Sequence, residues 1–296
     1  MQPLVECVPN FSEGRRPEVI DRLAAVFRGY PALRLLDIES DPDHNRSVFT
    51  LVGPPDAMVE AMFAAIQTAA GLIDMEQHRG AHPRIGATDV VPFIPLREME
   101  MADCVALARQ LGQRVGDELQ IPVYLYEAAA TRPDRVNLAD IRRGEYEGLK
   151  AEIATNPDRR PDFGPARLGP AGATVIGART FLIAFNVYLT TSDIEIAKKI
   201  AKTIRGSAGG LRYVKALGLS VNGKAQVSMN LTDFEKTPIH VAVELIRREA
   251  QRYGVAIESS ELIGLVPQQA LLDAAAWYLQ LDNFRPDMVL ENRLAM

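Results

Sequence analysis

A chain of 296 residues, 47% hydrophobic and 24% charged, has ordinary globular composition and can bury a core as one large domain or two small ones. Its net charge of −5 argues against a non-specific nucleic-acid binder, which is basic. Two cysteines, Cys7 and Cys104, are too few for a disulfide framework or a four-thiolate zinc site.

Leu4 to Val8 reads as a short apolar strand ending at Pro9. Pro17 sits in the first turn of a helix running to about Tyr30, where the missing N–H costs nothing. Leu33 to Ile38 and Val48 to Val52 are strands, separated by the turn formers Asp41, Pro42, Asp43 and Asn45. Pro54 and Pro55 open a helix to about Ile73, and Val90 to Ile94 is a further strand. Met101, Val105, Ala108, Leu111, Val115 and Leu119 recur at spacings of three and four, which predicts a helix over 99–119. Val123 to Tyr126 closes this half as a strand. From Leu149 to Gly172 prolines and glycines break any regular element, so a long functional loop or linker is expected.

The second half repeats the order. Ala173 to Leu189 is strand-like with a bend near Gly177, and Ile194, Ala197, Ala201 and Ile204 share one helix face. Val214 to Val221 and Ala225 to Leu231 pair as a hairpin across Asn222-Gly223. Pro238 begins a helix, Val255 to Ile263 is a strand, and Pro267 opens a last helix to Leu279. Two successive βαββαβ units predict an α+β chain of two ferredoxin-like subdomains, over residues 1–178 and 179–296, with a groove or tunnel between their sheets.

No P-loop, Rossmann glycine fingerprint or nucleophile elbow is present. Asp41-Pro-Asp-His-Asn begins like a calcium loop but has Arg46 where glycine is required and Val52 where glutamate is required. His78 and His82 are four apart, yet Gly80 and Pro83 argue against the helix that a zinc pair needs, so no metal is expected. His82 stands on a loop with Arg84, Thr88 and Asp89, either as a general base with orienting partners or as a surface histidine. His44 reads as a solvated turn residue and His240 as a packing residue. Asn10 and Ser12 are a helix cap or ligand contacts. Asn186 interrupts an apolar strand, and Gln226, Ser228 and Asn230 alternate along one strand face, facing water or lining a groove.

Several segments carry a resemblance. They are Val5-Glu-Cys-Val-Pro-Asn-Phe-Ser-Glu-Gly14, Leu72 to Met75, Gly80-Ala-His-Pro-Arg-Ile-Gly-Ala-Thr-Asp89, Pro122 to Tyr126, Pro161-Asp-Phe-Gly-Pro165, Gly172 to Arg179, Phe181 to Asn186, Ala225 to Leu231 and Leu262 to Pro267. In this order they resemble the glutamate formiminotransferase family over nearly the whole chain. The resemblance implies two ferredoxin-like subdomains, a homodimer, and a catalytic residue at His82. It implies that the stretch holding Phe163, Gly164, Pro165, Gly169 and Gly172 lies against folate. The substrates it implies are N-formimino-L-glutamate and tetrahydrofolate, the latter as co-substrate. The pathway would be histidine degradation in the cytoplasm.

Both substrates are polyanions, so Arg46, Arg84 and Arg179 are the candidate anchors. Glu39 or Asp89 would orient His82 or stabilise a cationic amidine, and Asn186, Gln226 and Asn230 would hydrogen-bond a pterin or a glutamate. Glu39 stands where the family commonly has aspartate, which lengthens its reach. The chain ends soon after the formiminotransferase portion, so a separate cyclodeaminase is expected as a functional partner. Neither a membrane nor a nucleic acid is expected as a partner: no apolar run spans a bilayer, no signal peptide is legible, and no RNA-binding aromatic motif is present. Two rival readings stay open, a formyltransferase using 5-formyl-tetrahydrofolate and a folate-binding protein without catalysis.

Overall fold

Side chains that alternate along a strand face opposite sides of its sheet, so each sheet here has a helix-covered face and a second face. A computed structural model describes residues 2–294, and the chain divides into two compact units, Met1–Arg179 and Thr180–Met296.

In the first unit the order is β1 (Leu4–Cys7), β2 (Asn10–Phe11), α1 (Pro17–Arg28), β3 (Arg34–Asp41), β4 (Arg46–Gly53), α2 (Pro55–Leu72), β5 (Thr88–Arg97), α3 (Met101–Glu118), β6 (Val123–Glu127), α4 (Leu138–Ile141), α5 (Glu145–Glu152) and β7 (Thr174–Ala178). Pro9 falls between β1 and β2, where it has no N–H to give, and its carbonyl accepts from Phe49 N at 3.1 Å. β3 pairs with β4, β4 with both β1 and β2, and these with β5, all antiparallel; β7 then lies parallel between β5 and β6. One face packs Val5, Cys7, Phe11, Phe49 and Leu51 under α1, α2 and α3. The rings of Phe11, Phe27 and Phe49 meet there at centroid distances of 5.3–6.4 Å. Cys7 and Cys104 are buried free thiols.

Two expectations are corrected. The region from Leu149 is not irregular at its start, because α5 continues to Glu152 and proline first intervenes at Pro157. The strand expected over 173–189 is two strands, β7 and a separate β8, rather than one bent at Gly177. Gly177 lies inside β7 because Tyr126 packs onto its Cα, leaving no room for a side chain.

The second unit comprises β8 (Ile183–Leu189), α6 (Ile194–Ile204), β9 (Val214–Val221), β10 (Lys224–Leu231), α7 (Ile239–Arg252), β11 (Ile257–Ile263), α8 (Gln268–Leu279) and α9 (Leu290–Leu294). Its strands lie in the order β11-β8-β10-β9, every pair antiparallel. Asn222 and Gly223 both take positive φ, +50° and +76°, as the two-residue turn between β9 and β10 requires. Ile183, Phe185 and Val187 on β8 and Val227, Met229 and Leu231 on β10 bury against Ala197, Ile200 and Ile204 of α6 and Ala242 and Ile246 of α7. Among the described residues, no helix is long and apolar enough to cross a membrane.

Candidate active site

The β3–β4 turn and the loop that precedes β5 are laced together by hydrogen bonds. Ala81 N donates to Asp43 O at 3.2 Å, and Asn45 Nδ2 donates to Arg79 O at 3.0 Å. Gly80 lies against the carbonyl of His44, where a β-carbon would collide with backbone. This close approach carries His82 to the end of β4.

There Arg46 Nη1 lies 3.2 Å from Asn10 Oδ1 and 3.1 Å from His82 Nε2. A guanidinium has only hydrogens to offer, so His82 Nε2 is the acceptor and the imidazole is neutral. Burial, reinforced by the positive charges of Arg46, Arg142 and His44, pushes the His82 pKa down to about 2. The rings of His44 and His82 meet edge to face at 6.3 Å. His44 Nδ1 is held 2.7 Å from Asp41 Oδ2, and Asp41 Oδ1 accepts from the turn amides of Asp43 and His44. Asp89 is buried, takes an ion pair from Arg142, and accepts from Ile85 N at 2.8 Å. Among the described residues, the buried Nε atoms of Arg46 and Arg142 have no hydrogen-bond partner. Burial and the neighbouring Arg142 lower the pKa of Arg46, while Asp89, Asp41 and Glu39 oppose that change. Arg142 is matched by Asp89, whereas Arg46 has no ion pair among the described residues, and an anion is the group that would match it.

The sequence-predicted residues are only partly brought together. His82, Arg46 and Asn10 are in contact, and Asp89 reaches the same cluster through Arg142. Glu39 pairs with Val48 on the strand beside Arg46, within electrostatic range of it. Arg84 is buried and its charge is already matched: Nη1 meets Glu145 at 2.5 Å and Nη2 meets Glu147 at 2.8 Å. Arg179 follows β7, with its amide on Phe93 O and its charge acting on Glu6, Cys7 and Tyr126.

Phe163 packs on the helical face of the sheet, its ring against Gly112 of α3. The next residue, Gly164, has φ of +80° and lies against Gly116 and the carbonyl of Ile121. Pro165 is half-buried. Gly169 bridges to Gly172, which has φ of +72° and packs on the Ile85–Gly86 backbone. Gly164 and Gly172 therefore have a conformational reason to be glycine, whereas a β-carbon at Gly169 would meet nothing within 4 Å. In the second unit, Asn186 and Tyr188 both donate to Glu261 Oε2 at 3.2 Å. Gln226 is buried opposite Tyr188, and Asn230 at the far end of β10 is exposed. His240 stacks on Trp277 at 5.0 Å.

Sequence reasoning did not single out Arg142, Asp41, His44 or Glu6 as site residues. The spacing of Asp41 and His44 across a turn was a readable signal for their pair; Arg142 carried none, because its partner lies 53 positions away. Among the described residues, no group of three or more His, Cys, Asp or Glu side chains is gathered as metal ligands would be.

Comparison with known proteins places most of the chain in one family. Residues 4–179 match the family described as formiminotransferase domain, N-terminal subdomain, and residues 184–293 match the formiminotransferase domain. A glutamate formimidoyltransferase of Thermoplasma acidophilum is 54% identical over 98% of this chain and 97% of its own length. One from Streptococcus pyogenes serotype M1 is 48% identical over 99% of each. A formimidoyltransferase-cyclodeaminase of Rattus norvegicus is 48% identical over 94% of this chain, which corresponds to 53% of that protein. Among solved structures, the periplasmic protease PqqL from Escherichia coli aligns at a TM-score of 0.20 and 8% identity, covering 94% of this chain and 36% of that one. That likeness is too low to bear on fold or function.

Proposed function

The chain belongs to the formiminotransferase family, and from that premise we propose that it is a glutamate formimidoyltransferase, moving the formimino group of N-formimino-L-glutamate to N5 of tetrahydrofolate. It is a transferase that uses tetrahydrofolate as co-substrate. The observation that carries the reading is the Arg46–His82 contact: a half-buried guanidinium with no ion pair among the described residues, beside a neutral imidazole. An anionic substrate supplies what this arginine lacks, and a neutral imidazole can take a proton.

In this reading, the carboxylates of the donor draw Arg46 away from His82 and free its Nε2 lone pair. N5 attacks the formimino carbon, forming the new C–N bond. His82 takes the proton that N5 must lose, and the bond to the glutamate nitrogen breaks as that nitrogen is protonated. Proton transfer of this kind contributes about 10²–10⁴-fold. Positioning of both substrates supplies a further share. We also infer that each unit is a ferredoxin-like fold. The antiparallel order β11-β8-β10-β9 in one unit and β3-β4-β1/β2-β5 in the other supports this.

Purified protein mixed with N-formimino-glutamate and tetrahydrofolate, beside a His82→Ala variant, tests the proposal. The expected result is 5-formimino-tetrahydrofolate from the wild type and nearly none from the variant. Turnover only with 5-formyl-tetrahydrofolate and glutamate would replace the stated reaction.

A further inference from the structure

His78 lies outside the reacting cluster, yet it is buried and bonded through both ring nitrogens. Its Nε2 stands 3.0 Å from the carbonyl oxygen of Asn45, which can only accept, so Nε2 carries the proton. Its Nδ1 stands 3.2 Å from Arg84 Nε, which can only donate, so Nδ1 is the lone-pair side. The neutral ring with its proton on Nε2 is the form that satisfies both neighbours.

Each neighbour is itself anchored. Arg84 meets Glu145 and Glu147 at the start of α5, and its carbonyl accepts from Tyr146 N at 2.9 Å. Asn45 Oδ1 accepts from Gly14 N at 3.0 Å, and its Nδ2 donates to Arg79 O. The relay therefore runs from α5 through the loop before β5 to the β3–β4 turn. Arg84 is two residues from His82, and Asn45 is next to Arg46, so the relay holds one end of each partner in the 3.1 Å Arg46–His82 contact.

We propose that His78 and Arg84 are positioning residues, joining the His82 loop to the Arg46 turn by one fixed hydrogen-bonded relay that sets the geometry of the Arg46–His82 pair. This assigns Arg84 to scaffolding in place of substrate binding, and it rests on the reaction proposed above only for its kinetic readout. Its second readout is the imidazole of His82, seen by ¹⁵N–¹H NMR of the ligand-free protein.

In the wild type, His82 should show a single neutral form with its proton on Nδ1. His78→Ala should convert this to a mixture of the two neutral forms. Turnover should fall about 10²-fold, the scale of a small misplacement of catalytic groups, while KM for both substrates stays within about 3-fold. His78→Gln restores a donor to the Asn45 carbonyl and should recover part of the loss. The double variant Glu145→Gln with Glu147→Gln removes charge from the exposed end of the relay, where those side chains are 43% and 57% accessible. It should give a smaller change of the same kind without emptying a buried site. Unchanged His82 signals in folded His78→Ala protein overturn the proposal, whatever happens to turnover, because His78 would then act elsewhere. If the wild type turns over neither donor, the functional reading fails, and the NMR result alone decides the relay.

Discussion

Nη1 of Arg46 lies 3.1 Å from Nε2 of His82, and that contact fixes both the charge and the tautomer of the histidine. A base with a pKa near 2 would be too weak for proton transfer at neutral pH. The positive charges that hold the His82 imidazole neutral are chiefly those of Arg46 and Arg142.

The first prediction concerns that charge. In ligand-free protein the His82 imidazole should remain neutral from pH 8 down to about pH 4, well below the ordinary histidine pKa of about 6.5. Adding saturating N-formimino-glutamate should raise its pKa toward neutrality, because the donor's carboxylates offset Arg46 and Arg142. The same depression predicts lower stability in acid. Below about pH 6.5 the unfolded imidazole binds a proton that the folded one refuses, so stability falls as pH drops through that window. A ¹⁵N titration that finds His82 ionising near pH 6.5 in the free protein would refute this account.

Arg142 forms an ion pair with the buried carboxylate of Asp89. Arg142→Ala would leave the Asp89 carboxylate with only the Ile85 amide. The expected cost is about 3–5 kcal/mol of stability, the usual penalty for stranding a buried charge. Adding Asp89→Asn should recover much of it, since the remaining group is neutral. Urea denaturation of the single and double variants measures both; a loss under about 1 kcal/mol for the single variant would mean that water reaches Asp89.

How much of this was legible beforehand depended on range in sequence. The elements were readable because proline, turn residues and apolar spacing act locally: Pro17, Pro55 and Pro267 mark helix starts, and Asn222-Gly223 marks its hairpin. The segment Gly80 to Asp89 drew attention to His82 because several polar residues crowd a short loop. What the loop touches was not legible. Arg84 reads as a free anchor in the chain, and only α5, some 61 residues on, supplies the acids that match its charge. The insertion of β7 between β5 and β6 escaped for the same reason, since parallel pairing leaves no hairpin signal.

Glu6 provides a prediction about pH and stability. It is 4% exposed, and its Oε2 has no hydrogen-bond partner among the described residues. Burial raises its pKa from 4.5 to about 7, against the opposing charge of Arg179. Between those pH values the folded protein keeps a proton that the unfolded chain has lost, so stability falls as pH rises, and the penalty is complete above about pH 7. The penalty is about 3 kcal/mol at most. Glu6→Gln mimics the protonated form. It should therefore stabilise the protein at pH 8.5 by up to that amount and leave it nearly unchanged at pH 4. Equal melting-temperature shifts at both pH values would show that burial of the charge is not the cause.

The last prediction tests the seat of the Phe163–Gly164 segment on α3. A β-carbon at Gly116 would stand 2.6 Å from Gly164 N and 2.7 Å from Phe163 Cβ. Two of the three nearest atoms are backbone, Gly164 N and Phe163 C, so the segment itself must shift. Gly116→Ala gains about 1 kcal/mol of helix propensity, and overpacking of this kind costs about 1–3 kcal/mol, so a net loss of up to about 2 kcal/mol is expected. Gly71 near the end of α2 is the control, because nothing lies within 4 Å of the β-carbon it would gain. Gly71→Ala should raise the urea midpoint while Gly116→Ala lowers it. Displacing this segment should also raise KM for tetrahydrofolate if residues 163–172 contact the co-substrate. An unchanged KM in a destabilised Gly116→Ala variant would remove this stretch from the proposed folate site while leaving its packing role intact.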